Sequence, residues 1–198
     1  MTMSGVARGR EVPRKTLHLT TAVVPLSLWL GAPQRWVAVV VVGLFGVACA
    51  VEVARRRSPA VAAQFNATVG VMLREHERQR GITGATWLLG AFALACVAAP
   101  LAICTAATWA GAVGDASAAL VGTAWRRARG GAGKTLVGSA ACALMSAIGA
   151  WWLAGFSVPL AMGLGLVAAV AERPSLSLDD NVRVTAAVVL AGLLITRP

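Results

Sequence analysis

The chain has 198 residues, of which 58% are hydrophobic and only 13% charged, with a formal net charge of +10 and a mean hydropathy of +0.73. Soluble domains carry roughly 25% charged residues, so the composition sets an ordinary soluble fold aside, and with no nucleic-acid-binding motif beside the basic residues it points to no nucleic-acid partner. Apolar runs near the roughly 20 residues needed to cross a hydrocarbon core predict an all-α, polytopic integral membrane helical bundle of about seven transmembrane helices, in one domain over residues 1–198.

The first predicted span runs from about Thr16 to Leu30. The stretch "EVPRKTLHL" places Arg14, Lys15 and His18 at its mouth, with Lys15 and His18 three positions apart on one helical face. Arg14 and Lys15 suit interfacial anchoring. A basic start before an apolar run imitates a secretory leader, but no clear A-x-A site follows, so we read it as a span. The second span, about Trp36 to Ala54, carries Glu52 near its end, where it can serve as a proton acceptor, a metal ligand or a partner for Arg55 and Arg56. Residues 58–81 are too polar to span. There Val61, Phe65, Val69, Met72 and Leu73 recur at helical spacing and predict a cytoplasmic interfacial helix, whose Asn66-Ala67-Thr68 sequon is then not glycosylated. Glu77 and Arg78 are surface charges or shape an entrance to the third span, about Thr83 to Ala99.

The fourth span, about Leu101 to Trp125, contains "GDASAALVG". An ionisable residue at the centre of a span costs about 2.5–3.5 kcal/mol on insertion scales and is functional by default, which singles out Asp115. Gly111, Asp115, Ala118 and Gly122 recur at helical spacing and predict one face of small residues around the acid. The following loop, "WRRARGGAGKTLVGS", surrounds a glycine turn with Arg126, Arg127, Arg129 and Lys134 and opens onto the fifth span, about Leu136 to Phe156. Cations beside a helix N-terminus form a phosphate cradle, or are ordinary cytoplasmic charges beside a turn. It is not a Walker A motif, which needs glycine where this chain has Ala128 and a preceding strand. After a short sixth span, about Val158 to Ala171, "ERPSLSLDDNVR" offers Asp179, Asp180 and Asn181, oxygen ligands of the kind Mg2+ favours, before the seventh span, about Val182 to Ile195; a helix cap accounts for one of the three. Cys49, Cys96, Cys104 and Cys142 lie in apolar runs without metal-site spacing and read as small core residues.

The loops fix an orientation, because Lys and Arg near span ends collect on the cytoplasmic side. With a cytoplasmic N-terminus, Arg8, Arg10, Arg14, Lys15, Arg55, Arg56, Arg57, Arg74, Arg78, Arg80, Arg126, Arg127, Arg129, Lys134, Arg173 and Arg183 all fall inside, and only Arg35 and Arg197 outside. The acids Glu11, Glu52, Glu75, Glu77, Asp115, Glu172, Asp179 and Asp180 share the cytoplasmic half. Chemistry is expected there, with membrane lipid headgroups or a nucleotide phosphate as the anionic partner.

The ordered set "EVPRKTLHL", "GDASAALVG", "GKTLVGS" and "LDDN" resembles the polyprenol kinase family, which includes dolichol kinase, phytol kinase and the CTP-dependent diacylglycerol kinase of fungi. The resemblance implies an integral membrane kinase that moves the γ-phosphoryl group of a nucleoside triphosphate, typically CTP, to the hydroxyl of a lipid alcohol. It gives Asp115 a nucleotide- or metal-binding role, Lys134 with Gly138 and Ser139 a phosphate-binding role, and Asp179, Asp180 and Asn181 an active-site role. Arg14, Lys15 and His18 match the N-terminal signature. Two departures stand out: Thr123, Ala124 and Trp125 precede the Arg pair where the family continues with a basic residue and a glycine, and Val137 replaces a glutamate found in some members.

Phosphoryl transfer depends mostly on positioning and charge neutralisation. The expected arrangement therefore has Asp115, Asp179, Asp180 and Asn181 around Mg2+, and Lys134, Arg126 and Arg127 with Arg14 and Lys15 on the phosphates. Asp115, Asp180 or His18 would then be the catalytic group at the hydroxyl. A CTP:phosphatidate cytidylyltransferase is the rival enzyme, and a transporter or helical scaffold the third reading. Nothing in the residues selects among polyprenol, phytol and diacylglycerol, or an oligomeric state.

Overall fold

The computed structural model describes residues 14–73, 75–78, 81–131, 133–174 and 179–196, and every regular element among them is helical. Arg8, Arg10, Glu11, Arg74, Arg80 and Arg197, named above for topology, lie outside the described residues. Residues 14–19 form α1, continued by a 3-10 turn at Thr20–Ala22 and α2 at Val23–Trp29. Then come α3 (Gln34–Arg57), α4 (Pro59–Val69), α5 (Glu75–Arg78), α6 (Gly84–Ala98) and α7 (Leu101–Trp109). A π turn at Ala110–Gly114 joins α7 to α8 (Asp115–Arg129), followed by α9 (Leu136–Trp152), α10 (Val158–Glu172) and α11 (Asp180–Ile195).

Local chemistry sets these boundaries. Ser58 is extended because Pro59 follows it, which ends α3, and its hydroxyl then caps Val61 N–H to start α4 with proline in the first turn. Thr83, Thr135 and Asp179 cap α6, α9 and α11 by accepting from Thr86, Gly138 and Asn181 N–H. The turn after α8 uses Gly130, Gly131 and Gly133 at positive φ, a conformation open to glycine.

Close approaches define the packing. Gly138 meets Ala118 and Gly122, Gly114 meets Ser146 and Gly149 meets Trp109, so α9 runs antiparallel to the α7–α8 rod. Gly111 meets Thr185 and Gly192 meets Ile103, which sets α11 antiparallel to that rod as well. Glu52 reaches Thr83 at one end of α3 and Gln34 reaches the carbonyls of Cys96 and Ala99 at the other, so α3 and α6 are antiparallel. The start of α1, the end of α3, the start of α6, the end of α8, the start of α9, the end of α10 and the start of α11 therefore share one end of the bundle.

The helices coincide with the predicted apolar segments. The interfacial helix is shorter than expected: α4 stops at Val69, and Met72 and Leu73 sit in turns closed by bonds back to Val69 and Gly70. Only α3, among the described residues, is long and apolar enough to cross a membrane; α6, α9 and α10 are apolar but have 15, 17 and 15 residues. The distribution of side chains is reversed relative to a soluble domain, where apolar groups are inside and charges outside. Lys15, Glu52, Arg55, Glu77, Asp115 and Glu172 are buried, while Val39, Val47, Leu94, Leu144, Leu166, Val170, Leu190 and Leu194 are exposed.

A close approach of α10 to the backbone of α9 yields a stability test. A Cβ at Gly165 would stand 2.4 Å from the Ala143 carbonyl oxygen, whereas one at Gly163 meets nothing within 4 Å. Gly165→Ala is expected to lose about 1–3 kcal/mol by forcing α10 off α9, and Gly163→Ala to gain up to about 1 kcal/mol of helix propensity. Thermal midpoints of the two purified variants check this.

Candidate functional site

Asp115 owes its position to the π turn. Its N–H reaches back five residues to the Ala110 carbonyl rather than four to Gly111, and Nε2 of His18 bonds the Gly111 carbonyl at 2.7 Å. A carbonyl only accepts, so Nε2 carries the proton and, in the neutral ring, Nδ1 is the acceptor. Asp115 Oδ2 accepts from Lys15 Nζ and lies 3.8 Å from His18 Nε2. Lys15 and Asp115 are each 1% exposed. Such π turns recur at functional sites.

The π turn also overturns the single face expected for Gly111, Asp115, Ala118 and Gly122. Gly114, Ala118 and Gly122 face α9, while Gly111 packs on Thr185 and Phe92 and Asp115 points to α1. Widening one turn rotates everything before it relative to everything after it. Lys15 likewise is no interfacial anchor: its ammonium is spent on Asp115 and sealed from water, so it does not reach a phosphate in this conformation.

A second polar group stands at the same end. Glu52 Oε2 accepts from Arg55 Nε at 2.7 Å, and its Oε1 accepts from Thr83 N–H at 2.8 Å. Arg55 further donates to the Glu77 carbonyl at 2.8 Å and to the Gly81 carbonyl. Glu77 Oε1 accepts from Gly84 N–H at 2.8 Å, and Asn181 Nδ2 donates to the Gly84 carbonyl at 3.2 Å. Glu52 is thus the partner of Arg55, and Glu77 is buried structure at an entrance rather than a surface charge.

The third group joins α8, α10 and α11. Lys134 Nζ bonds the Glu172 carboxylate at 2.7 Å and its carbonyl, and stands 4.0 Å from Asp180 Oδ2. Arg126 ties the glycine turn down through the Gly133 carbonyl at 2.5 Å and Thr123 Oγ1 at 3.0 Å, while Arg127 is exposed. Arg129 stacks 3.9 Å over the Trp125 ring. Gly138 is pressed against α8, which by itself accounts for glycine there, and Ser139 Oγ donates to the Thr135 carbonyl.

The structure brings Arg14 and Asn181 to Gly84, Lys15 and His18 to Asp115, and Lys134 to Glu172 and Asp180, with Cys142 between Asp115 and the Lys134–Glu172 pair. Among the described residues no three His, Cys, Asp or Glu side chains gather as a metal group. Asp179 caps α11 through Asn181 N–H, and Asn181 turns to α6 instead of standing beside Asp180. Asp180 with Asp179 still offers hard oxygens of the type Mg2+ takes alongside substrate phosphates. Sequence reasoning placed Glu172 in the cytoplasmic half without giving it a role, and passed over Thr185 and Ser146, whose hydroxyls face the π turn.

No protein-family model, curated protein or solved structure matches the chain.

The buried pair predicts a non-additive cycle. Asp115→Leu or Lys15→Met alone leaves one charge uncompensated and is expected to cost about 3–5 kcal/mol, whereas the double substitution recovers most of that loss. Unfolding midpoints of the four proteins read the coupling directly.

Proposed function

We propose that the chain is an integral membrane kinase that transfers the γ-phosphoryl group of CTP, or another nucleoside triphosphate, to the hydroxyl of a lipid alcohol at the cytoplasmic leaflet. Membrane residence is supported by exposed apolar side chains around a bundle whose charges are interior. In this reading the rods cross about seven times. A helix of 15 residues, such as α6, spans about 22 Å, less than the ~30 Å core, and is accommodated by local thinning and flanking residues.

The observation that carries the catalytic reading is the first turn of α11. Asp180 faces Lys134 and the basic glycine turn, while the adjacent Asn181 faces Gly84, Arg14 and Glu77. Two adjacent positions, about 100° apart on the helix, thus divide a cationic, carboxylate-bearing surface suited to a triphosphate from a recess suited to an acceptor. The motif resemblance is independent support.

On this account Arg126, Arg127 and Lys134 neutralise the triphosphate at the end of α8 and the start of α9. Asp180 and Asp179 would hold Mg2+, which supplies charge neutralisation on the phosphates. The alcohol oxygen bonds to the γ-phosphorus as the bond to the β-phosphate oxygen breaks, and the nucleoside diphosphate leaves. The hydroxyl proton passes to His18 Nδ1, the nitrogen left as acceptor by the bond from Nε2 to Gly111. Lys15 and Asp115 act as positioning residues that hold α1, and with it His18, on the π turn.

The test is transfer from γ-labelled CTP or ATP to a panel of lipid alcohols in purified protein with Mg2+. Lipid phosphate is the expected product, with Lys134→Met and Asp180→Asn each lowering kcat by about 100-fold or more, measured on the folded fraction because Lys134→Met also leaves the Glu172 carboxylate without its partner and lowers the thermal midpoint. Formation of CDP-lipid from phosphatidate would replace this reading with a cytidylyltransferase. Full activity in Asp180→Asn would remove the assigned site.

A further inference from the structure

Two of the cysteines meet at the end of the bundle opposite the charged groups. Cys96 lies in the last turn of α6 and Cys104 in the first turn of α7, and their Sγ atoms are 3.4 Å apart. Both are buried, at 3% and 0% exposure, in an apolar cluster with Leu28, Ala38, Ala99 and Ile103. The other two cysteines stand elsewhere: Cys49 is half-buried on α3, and Cys142 of α9 lies beside Gly114 of the π turn.

The turn between the helices fixes this apposition. Pro100 has no N–H, so the Cys96 carbonyl four residues before it loses its helical donor. Gln34 Nε2 of α3 takes that place, donating to the Cys96 carbonyl at 2.9 Å and to the Ala99 carbonyl at 2.8 Å. The end of α6 is thereby held, and with only Ala99 and Pro100 between the helices α7 begins where Cys104 faces Cys96. A thiol is a weak donor and a weak acceptor, so contact between two thiols stabilises the turn little. A disulfide sets the sulfurs about 2.05 Å apart, a separation that small rotations about the two Cα–Cβ bonds supply.

We propose that Cys96 and Cys104 are the reduced form of a structural disulfide that closes the α6–α7 hairpin, rather than two small core residues. With the cytoplasmic N-terminus expected from the loops, this turn lies on the far side of the membrane, where disulfides form and persist. The inference rests on that orientation and not on the kinase reading. The bond forms by exchange with the disulfide of an extracytoplasmic thiol oxidant: one cysteine thiolate attacks it, and the second displaces the oxidant from the mixed disulfide. The two protons and two electrons lost by Cys96 and Cys104 end on the oxidant, which leaves as a dithiol. Burial dictates the order of events. Val189 and Leu193 of α11 pack on the same cluster, and α11 is the last helix of the chain, so exchange precedes its docking. Once α11 is docked, the bond is sealed from reductants and holds the start of the α7–α8 rod to α6.

The experiment counts thiols in the full-length protein from acid-quenched cell membranes, denatured in detergent and treated with a PEG-maleimide with and without prior reduction. Cys49 and Cys142 are expected to react before reduction, and all four cysteines after it. Cys96→Ser should leave Cys104 reactive without reduction and Cys104→Ser should do the same for Cys96, whereas Cys49→Ser and Cys142→Ser leave the pair protected. Cys96→Ala, Cys104→Ala and the double variant each break the same bond, so their thermal midpoints should fall together, about 5 °C or more below that of the parent. Reaction of all four cysteines without reduction overturns the proposal, as does a protected pair that is lost in Cys49→Ser or Cys142→Ser, or a disulfide-linked dimer that is lost in Cys96→Ser. Phosphoryl transfer, present or absent, leaves the thiol count unchanged, so this inference and the kinase reading fail separately.

Discussion

An ammonium and a carboxylate withdrawn from water must find one another, and at the polar end of this bundle Lys15 and Asp115 do so at 1% exposure each. Their contact docks α1 onto the π turn, which is the point where the long α7–α8 rod changes register. His18, one turn further along α1, then falls on the Gly111 carbonyl that the π turn releases from Asp115 N–H. With α1 so placed, Arg14 reaches Gly84 and lines a slot of about 380 Å3 between α1, α3, α4 and the start of α6. A buried pair of this kind contributes little net stability compared with apolar side chains of equal volume. Its consequence is positional: α1 has one register in which no charge is stranded.

The remaining polar groups follow the same rule of mutual satisfaction. Glu52 and Arg55 bind the loop before α6, Glu77 and Asn181 bind Gly84 from two directions, and Lys134 joins α10 to α11 through Glu172 and Asp180. Helix ends meet here, where unpaired backbone groups need partners. A site assembled from helix ends can bring a phosphate-binding surface and an apolar slot into contact, because backbone, cation and carboxylate are all available within one turn of the first residues of α11. At the opposite end Trp29 lies tilted against Trp152, ring centres 5.7 Å apart, and Arg35 stands over the Trp36 ring.

Much of the helical layout was legible, because apolar runs broken by Pro33, Ser58-Pro59, Pro100 and the glycine turn leave few choices of boundary. Asp115 was legible for the same reason that it is costly, as a lone acid among small residues. The register around it was not. "AGAVGD" carries no mark distinguishing a π turn from an α turn, so Gly111 was assigned to the face that Gly114 occupies. Pairings across the bundle were equally hidden: Lys15 is 100 residues from Asp115 in the chain, and nothing local in "PRKT" announces a buried lysine. Asn181, grouped with Asp179 and Asp180 by adjacency, belongs to the other side of α11 because neighbouring residues in a helix point about 100° apart.

The central claim is that a nucleoside triphosphate binds where α8, α9 and α11 meet, beside the slot. Backbone hydrogen exchange of the purified protein, with and without CTP and Mg2+, tests it most directly. The account predicts slowed exchange confined to residues 126–139 and 179–184, where Arg126, Lys134 and Asp180 lie. Unchanged exchange there, or protection at the aromatic end around Trp29 and Trp152, would contradict it.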